Sequence, residues 1–365
     1  MRILFLGGGT LGPVTPLIAV WEEMVRRNGV EAHHALFAGT RHGPERAIVT
    51  EAHIPFVAVV AAKFDRFLSL RLLAAPFVFV WSLGAALRIC LRFRPDVMLS
   101  AGGYVAVPFA YVARLLQVPV VLHQMDLTPG LTNRLLAPHA AAVTVAVPEL
   151  VAFFLVPNVT VTGIPVRRAV ADVLEHDISV LATAEHRFAI TDRGYPVLLI
   201  MGGGTGALQI NTWVAETISE LLEHCVVIHV TGRGKAAAPI VHQRYIPMEL
   251  LSSQDLTLAY AVADFVVSRA GMGAIAELVA TEIPFLLVPM PDSPQEENAH
   301  FFSRRANIPV LEKETTAMQF RDIVLKYLRD PRAWPGSMER LRTTLPANAA
   351  AHVAGIVREV AEKKK

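Results

Sequence analysis

Cysteine is scarce in this 365-residue chain, and no long apolar run goes uninterrupted. Cys90 and Cys225 are its two cysteines, too few for a disulfide framework, so a reducing cytosol is the expected home. The apolar run Ile3 to Leu6 is broken at once by glycines, which is too short for a secretory signal. Leu72 to Leu87 carries no charge, but its 16 residues include Pro76 and Gly84 and fall short of the roughly 20 that a spanning helix needs. A transmembrane helix is therefore not expected. Metal-ligand spacing is also missing: His33 and His34 are adjacent and read as part of a strand, and no Asp-x-Asp pair occurs anywhere, so neither a metal nor a cofactor is expected.

What is present is unevenly charged. Residues 1–170 hold 15 Lys/Arg against 9 Asp/Glu, whereas residues 171–365 hold 19 against 23. The basic half contains the most apolar stretch, "RFLSLRLLAAPFVFVWSLGAALRICLRFRP" (66–95). Arg66, Arg71, Arg88, Arg92 and Arg94 flank Phe67, Leu70 and Trp81 there, a composition suited to a surface resting on anionic lipid headgroups. A helix pair buried in the N-terminal domain, with arginines solvated at its ends, is the alternative.

A glycine-rich turn occurs twice, "GGGTLG" at 7–12 and "GGGTGA" at 202–207. Each follows a short apolar strand pattern and opens a segment with helical spacing. A strand-to-helix turn of this kind lets the backbone approach a ligand, and the helix N-terminus offers unpaired N–H groups to phosphate. Gly7, Gly9 and Gly12 fit G-x-G-x-x-G, and Gly202, Gly204 and Ala207 fit its alanine variant. A dinucleotide site would also want an acid at the end of the second strand. The strands "HHALFAGT" and "VVIHVTG" end without one, which argues against a nicotinamide or flavin enzyme.

Strand-like and helical runs alternate throughout, implying parallel sheets covered on both faces. Seven strands are expected in the first half, "RILFLG", "EAHHALFAG", "FVAVVAA", "DVMLSAGG", "VPVVLHQ", "AAVTVAV" and "NVTVTG". Four are expected in the second, "VLLIMG", "CVVIHVTG", "DFVVSRAG" and "PFLLVPM". The chain length suits two domains: residues 1–164, residues 165–345, and a C-terminal helix within 346–365 packing back on one of them.

The blocks "GGGTLGPVTPLIAV", "GTRHGPERAIV", "GGYVAVPFAYVARLLQVPVVLHQMDLTPGLTNRLLA", "VTGIPVR", "GGGTGALQIN" and "AYAVADFVVSRAGMGAIAELVATEIPFLLVPMPDSPQEENA" resemble, in order and over nearly the whole chain, those of the MurG family. The resemblance implies two Rossmann-like α/β domains facing a cleft, the glycosyltransferase-B fold. The implied N-terminal domain binds the acceptor and faces the membrane, and the C-terminal domain binds the UDP-sugar. The implied reaction is inverting, metal-independent transfer of N-acetylglucosamine from UDP-N-acetylglucosamine to an undecaprenyl-diphosphate-linked muramoyl peptide, at the cytoplasmic face of the cell membrane and with no nucleic-acid partner. Each glycine turn would then serve one diphosphate. Rival readings are a UDP-sugar transferase with another lipid acceptor, a UDP-sugar epimerase and a non-catalytic nucleotide-sugar sensor.

On the donor side the resemblance gives Glu277 the ribose hydroxyls, which suits a carboxylate that accepts two hydrogen bonds from a vicinal diol. Gly204, Thr205 and Gly206 would meet the donor diphosphate, although the family more often has Ser-Gln where this chain has Gly204-Thr205. Arg167 would neutralise the leaving diphosphate, Gln295 and Asn298 would meet the sugar, and Met272, Gly273 and Ala274 would line a helix start. On the acceptor side it gives Thr10, Leu11, Gly12, Tyr104, Thr132, Asn133 and Arg134. Here the chain departs from the family. Leu11-Gly12-Pro13 replaces the usual Gly-Gly-His, and His123-Gln124-Met125-Asp126 replaces His-Glu-Gln-Asn. Asp126 and His123 are left as the candidate bases.

Overall fold

The computed structural model describes residues 1–28, 34–60, 71–175, 178–191, 194–202, 207–235 and 240–363. They form two compact units, Met1–Arg168 with Leu345–Lys365, and Ala169–Thr344.

The first unit is built on seven parallel strands, β1 (Ile3–Leu6), β2 (Ala35–Thr40), β3 (Phe56–Val59), β4 (Val97–Ser100), β5 (Val120–Gln124), β6 (Ala142–Val145) and β7 (Val159–Val161), in the order β3-β2-β1-β4-β5-β6-β7. Every residue of β1 is buried, as expected of a central parallel strand covered on both faces, where continuous apolar sequence replaces alternation. Its helices are α1 (Thr15–Asn28), α2 (Glu45–Glu51), α3 (Arg71–Phe93), α4 (Ala106–Leu115) and α5 (Leu131–Leu136). Phe5 of β1 meets Trp21 of α1 edge-on at 6.2 Å and Phe37 of β2 at 6.4 Å. Burying aromatic rings of this size contributes about 1.5–3 kcal/mol each.

The second unit repeats the plan with β8 (Val197–Met201), β9 (Val226–Val230), β10 (Tyr245–Met248), β11 (Phe265–Ser268) and β12 (Phe285–Leu287), ordered β10-β9-β8-β11-β12 and again parallel. Strand β10 was not expected from the sequence. It is a four-residue edge strand containing Pro247, and proline is tolerated in a sheet only where a ladder N–H can be spared. The helices begin with the short α6 (Arg168–Ala171) at the crossing, then α7 (Ile178–Phe188), α8 (Leu208–Leu222), α9 (Ser253–Val262), α10 (Met272–Thr281), α11 (Pro294–Ala306), α12 (Ala317–Arg329) and α13 (Met338–Thr344). Side-chain caps fix several starts: Ser252 accepts from the Asp255 N–H, Ser293 from the Gln295 N–H, and Thr316 forms a capping box with Gln319. Trp213 of α8 stacks on Phe320 of α12 at 5.5 Å.

The last helix, α14 (Ala349–Glu362), belongs to the first unit. It packs on α1 and against β4 and β6, burying Val353, Val357 and Ala361. Gly163 has φ +80°, and a side chain there would meet Pro346 and Ala349.

In each sheet the chain runs outward from one central strand and returns to that strand's other side, between β1 and β4 and between β8 and β11. Ligands of open parallel sheets bind at such switch points, beyond the carboxyl ends of the strands. The first glycine turn follows β1, and Gly202 opens the second directly after β8.

Candidate functional site

At the first switch point Gly8 and Gly9 are required, and the reason is packing inside the protein. A Cβ on Gly8 would lie 2.4 Å from Glu45 Oε1, and one on Gly9, where φ is +90°, would lie 3.2 Å from the Tyr104 ring. Glu45 opens α2 and is fully buried. Its Oε1 accepts from the Thr40 N–H at 2.6 Å, from the Thr40 hydroxyl at 2.5 Å and from the Gly9 N–H at 3.4 Å. One N–H that the turn could offer to an anion is thus already engaged by a carboxylate, and Pro13 has none to give. Burial, reinforced by the Glu45 charge, pushes the Tyr104 phenol above its ordinary pKa. Thr10 and Gly12 are exposed and Leu11 is half-buried; the Leu11 carbonyl starts α1 by accepting from Val14 and Thr15.

The end of β5 is tied to α5 by one side chain. Asn133 Nδ2 donates to the His123 carbonyl at 3.2 Å and to Gln124 Oε1 at 2.8 Å, while Gln124 Nε2 donates to the Asp126 carbonyl at 2.6 Å. Asn133 is buried, so its visible work is to brace the loop that carries Asp126. Thr132 is half-buried and Arg134 exposed.

The two candidate bases differ sharply. His123 is 1% exposed, and burial lowers its pKa to about 4. Its Nδ1 lies 2.9 Å from Thr144 Oγ1, which itself donates to the Leu122 carbonyl. That arrangement assigns the proton to Nδ1 and leaves Nε2 as a buried lone pair with no partner. Asp126 is only half-buried.

At the second switch point, α10 begins directly after the β11 turn, with Gly271 at its N-cap. Met272 is buried in the core, and Gly273 and Ala274 are half-buried at the helix start. Glu277, the one charged residue of α10, is 8% exposed, and its Oε2 accepts from the Tyr260 hydroxyl at 3.0 Å. Asn298 is fully buried and donates to the Ala270 carbonyl at 3.1 Å. Gln295 accepts from the Met290 N–H at 3.1 Å. Arg269 donates to the carbonyls of Val288 and Pro289 at 3.0 and 2.7 Å. These three side chains hold the loops after β11 and β12 around the helix start, a bracing role that sequence reasoning had not given to Arg269. Gly204, Thr205 and Gly206 lie outside the described residues.

Arg167, expected with the donor-binding domain, falls in the first unit. It is buried, with its Nε lacking a hydrogen-bond partner, and its charge acts on Glu22 of α1, whose pKa burial nonetheless raises.

Arg66, Phe67 and Leu70 lie outside the described residues, as does the side chain of Arg71. The rest of the apolar stretch forms one 23-residue helix, α3, which Pro76 and Gly84 do not break. Its inner face buries Ser82, Ala86 and Cys90, and Phe79 meets Tyr111 of α4 edge-on at 5.9 Å. The opposite face is open: Phe77 is 80% and Trp81 74% exposed, with Val80 and Leu91 also exposed, and Arg88 and Arg92 beside them. A wholly buried helix pair does not describe α3. Among the described residues, no helix is long and apolar enough to cross a membrane.

Residues 3–145 match the glycosyltransferase family 28 N-terminal domain, and residues 197–348 its C-terminal domain. The chain is 31% identical over 364 residues to the UDP-N-acetylglucosamine–N-acetylmuramyl-(pentapeptide) pyrophosphoryl-undecaprenol N-acetylglucosamine transferase of Lachnoclostridium phytofermentans, covering 98% of this chain and 99% of that one. Among solved structures it resembles Acinetobacter baumannii MurG, with a TM-score of 0.68 at 22% identity and coverage of 98% and 99%. It also resembles the UDP-GlcNAc 2-epimerase of Neisseria meningitidis, with a TM-score of 0.70 at 14% identity and coverage of 98% and 100%. Those two likenesses speak for the fold, which transferase and epimerase share, and the near full-length sequence match separates them. The chain belongs to the MurG family of glycosyltransferases, within glycosyltransferase family 28.

Proposed function

We propose that the protein transfers N-acetylglucosamine from UDP-N-acetylglucosamine to an undecaprenyl-diphosphate-linked N-acetylmuramoyl peptide, with inversion at the anomeric carbon and without a metal, at the cytoplasmic face of the membrane. The observation that carries this reading is the end-to-end match to a transferase of that printed activity, joined to a buried carboxylate, Glu277, on the helix that follows the second switch point.

In this reading Glu277 accepts the ribose hydroxyls, and the N-termini of α8 and α10 face the diphosphate, where helix dipoles favour negative charge. A hydroxyl oxygen of the acceptor sugar bonds to the anomeric carbon as the bond from that carbon to the β-phosphate oxygen breaks. UDP leaves with the electron pair, and Asp126 takes the hydroxyl proton. Asp126 is preferred over His123 because a base must come within hydrogen-bond reach of the hydroxyl, and the His123 ring is enclosed. The acceptor's diphosphate binds at the first turn through its exposed Thr10 and Gly12, since Glu45 holds the Gly9 N–H.

The exposed face of α3 is proposed to rest on the membrane, its rings among the acyl chains and Arg88 and Arg92 at anionic headgroups. Product analysis tests the reaction: incubation with labelled UDP-N-acetylglucosamine and the lipid acceptor should place the label in a lipid-extractable disaccharide whose new bond is inverted relative to the donor. A retained configuration, or label in free sugar, contradicts it.

A further inference from the structure

We infer that Tyr260 is a positioning residue for the nucleotide's ribose, acting through Glu277; the inference rests on the reading of Glu277 as the ribose ligand. Tyr260 lies on α9, one element before β11, and Glu277 on α10, one element after it. The tyrosine is 1% exposed and, among the described residues, is the largest fully buried side chain. Its hydroxyl donates to Glu277 Oε2 at 3.0 Å.

A buried phenol needs some acceptor, and a backbone carbonyl would serve a purely structural tyrosine. This one reaches the single charged side chain of α10. A glutamate on a helix has three rotatable bonds, and ordering them costs entropy that a bound ligand must otherwise offset. The bond from Tyr260 spends that cost at folding. It holds one carboxylate oxygen and so fixes the plane in which the carboxylate meets a diol. The tyrosine also supplies a hydrogen bond to a carboxylate taken largely out of water, where an underpaired charge is costly. A ribose with both hydroxyls gains from that fixed plane; one lacking the 2′-hydroxyl gains much less.

The test is calorimetric binding of UDP and 2′-deoxy-UDP to the native chain, Tyr260→Phe, Glu277→Gln and the double variant, with a thermal melt of each. Tyr260→Phe keeps the ring and its packing. It should weaken UDP by about tenfold, the effect of roughly 1.4 kcal/mol, while hardly changing 2′-deoxy-UDP. Glu277→Gln should abolish the preference for UDP, and the double variant should be no worse than Glu277→Gln alone. Should Tyr260→Phe prove unstable, the double variant removes the buried charge as well, and its recovery in the melt supports the coupling. A Tyr260→Phe variant that keeps the native preference for UDP, or weakens both ligands equally, overturns the inference while leaving Glu277 in place. A native preference retained in Glu277→Gln overturns the ribose reading itself, and the inference with it.

Discussion

His229 Nε2 lies 3.1 Å from Asn211 Oδ1 in the core of the second unit, with both residues buried. Asn211 sits in the first turn of α8, and its Nδ2 donates to the carbonyls of Thr231 and Lys235 at 2.9 and 3.0 Å. The other ring nitrogen of His229 is 3.0 Å from the Tyr245 hydroxyl. The consistent assignment has Nε2–H donating to asparagine and Nδ1 accepting from tyrosine. One closed network thereby joins α8, β9, β10 and the loop after β9. Asn211→Ala should cost about 2–4 kcal/mol, because it strands several buried polar groups, each worth roughly 1–3 kcal/mol. A thermal or urea melt measures this, and a loss within about 0.5 kcal/mol, ordinary for surface changes, contradicts the network's importance.

The same burial makes stability depend on pH. His123 and His229 each have a folded pKa lowered from 6.5 to about 4 by desolvation. Between those values the unfolded chain binds protons that the folded chain does not. Their contribution is therefore complete above about pH 6.5 and is lost as pH falls toward 4, at up to roughly 1 kcal/mol per pH unit for each histidine. The Tm should fall steadily from pH 7 to pH 4.5, and His123→Gln should make that fall shallower. An unchanged slope in the variant contradicts the assignment.

The proposed membrane docking rests on the open face of α3, where Phe77, Val80, Trp81 and Leu91 recur at helical spacing. Replacing Phe77 and Trp81 by serine should reduce binding to anionic vesicles by at least tenfold, because each ring buries about 1.5–3 kcal/mol of apolar surface. Arg88→Glu should weaken it further, at about 1 kcal/mol per basic residue and in a salt-dependent way. Turnover of a short, soluble acceptor analogue should hardly change. Vesicle binding that survives the Phe77 and Trp81 substitutions assigns docking to another surface.

Much of this was legible in the sequence because apolar runs are loud. All seven strands of the first sheet fall on apolar runs of the sequence, although Phe56–Val59 and Val159–Val161 are mostly not buried, and each glycine turn begins where a central strand ends. Tyr245–Met248 was silent because an edge strand needs few apolar residues and Pro247 reads as a breaker. Glu45 belongs to a block quoted for its resemblance, yet nothing in its spacing says that its carboxylate folds back onto Gly9; that contact arises from the β1 and β2 ends lying side by side. The enclosure of His123 was equally hidden. A histidine at a strand's end reads as available until β6 supplies Thr144 across the sheet. The reading of Pro76 and Gly84 as interruptions failed because tertiary context overrides local propensity.

The base is tested at Asp126. If it takes the acceptor's proton, Asp126→Asn should lower kcat by about 10²- to 10⁴-fold while UDP affinity holds. The Gln124 contact to the Asp126 backbone carbonyl should persist, so the loop keeps its course. His123→Gln should act mainly on stability. Native turnover in Asp126→Asn would move the role to His123.

The central claim is tested most directly by UDP release measured with and without the undecaprenyl-diphosphate-linked muramoyl peptide, at a fixed concentration of UDP-N-acetylglucosamine. The account predicts release that depends on the lipid acceptor and matches, mole for mole, the disaccharide lipid formed. Release at the same rate without acceptor, or conversion of UDP-N-acetylglucosamine to an epimer with no lipid product, would contradict it.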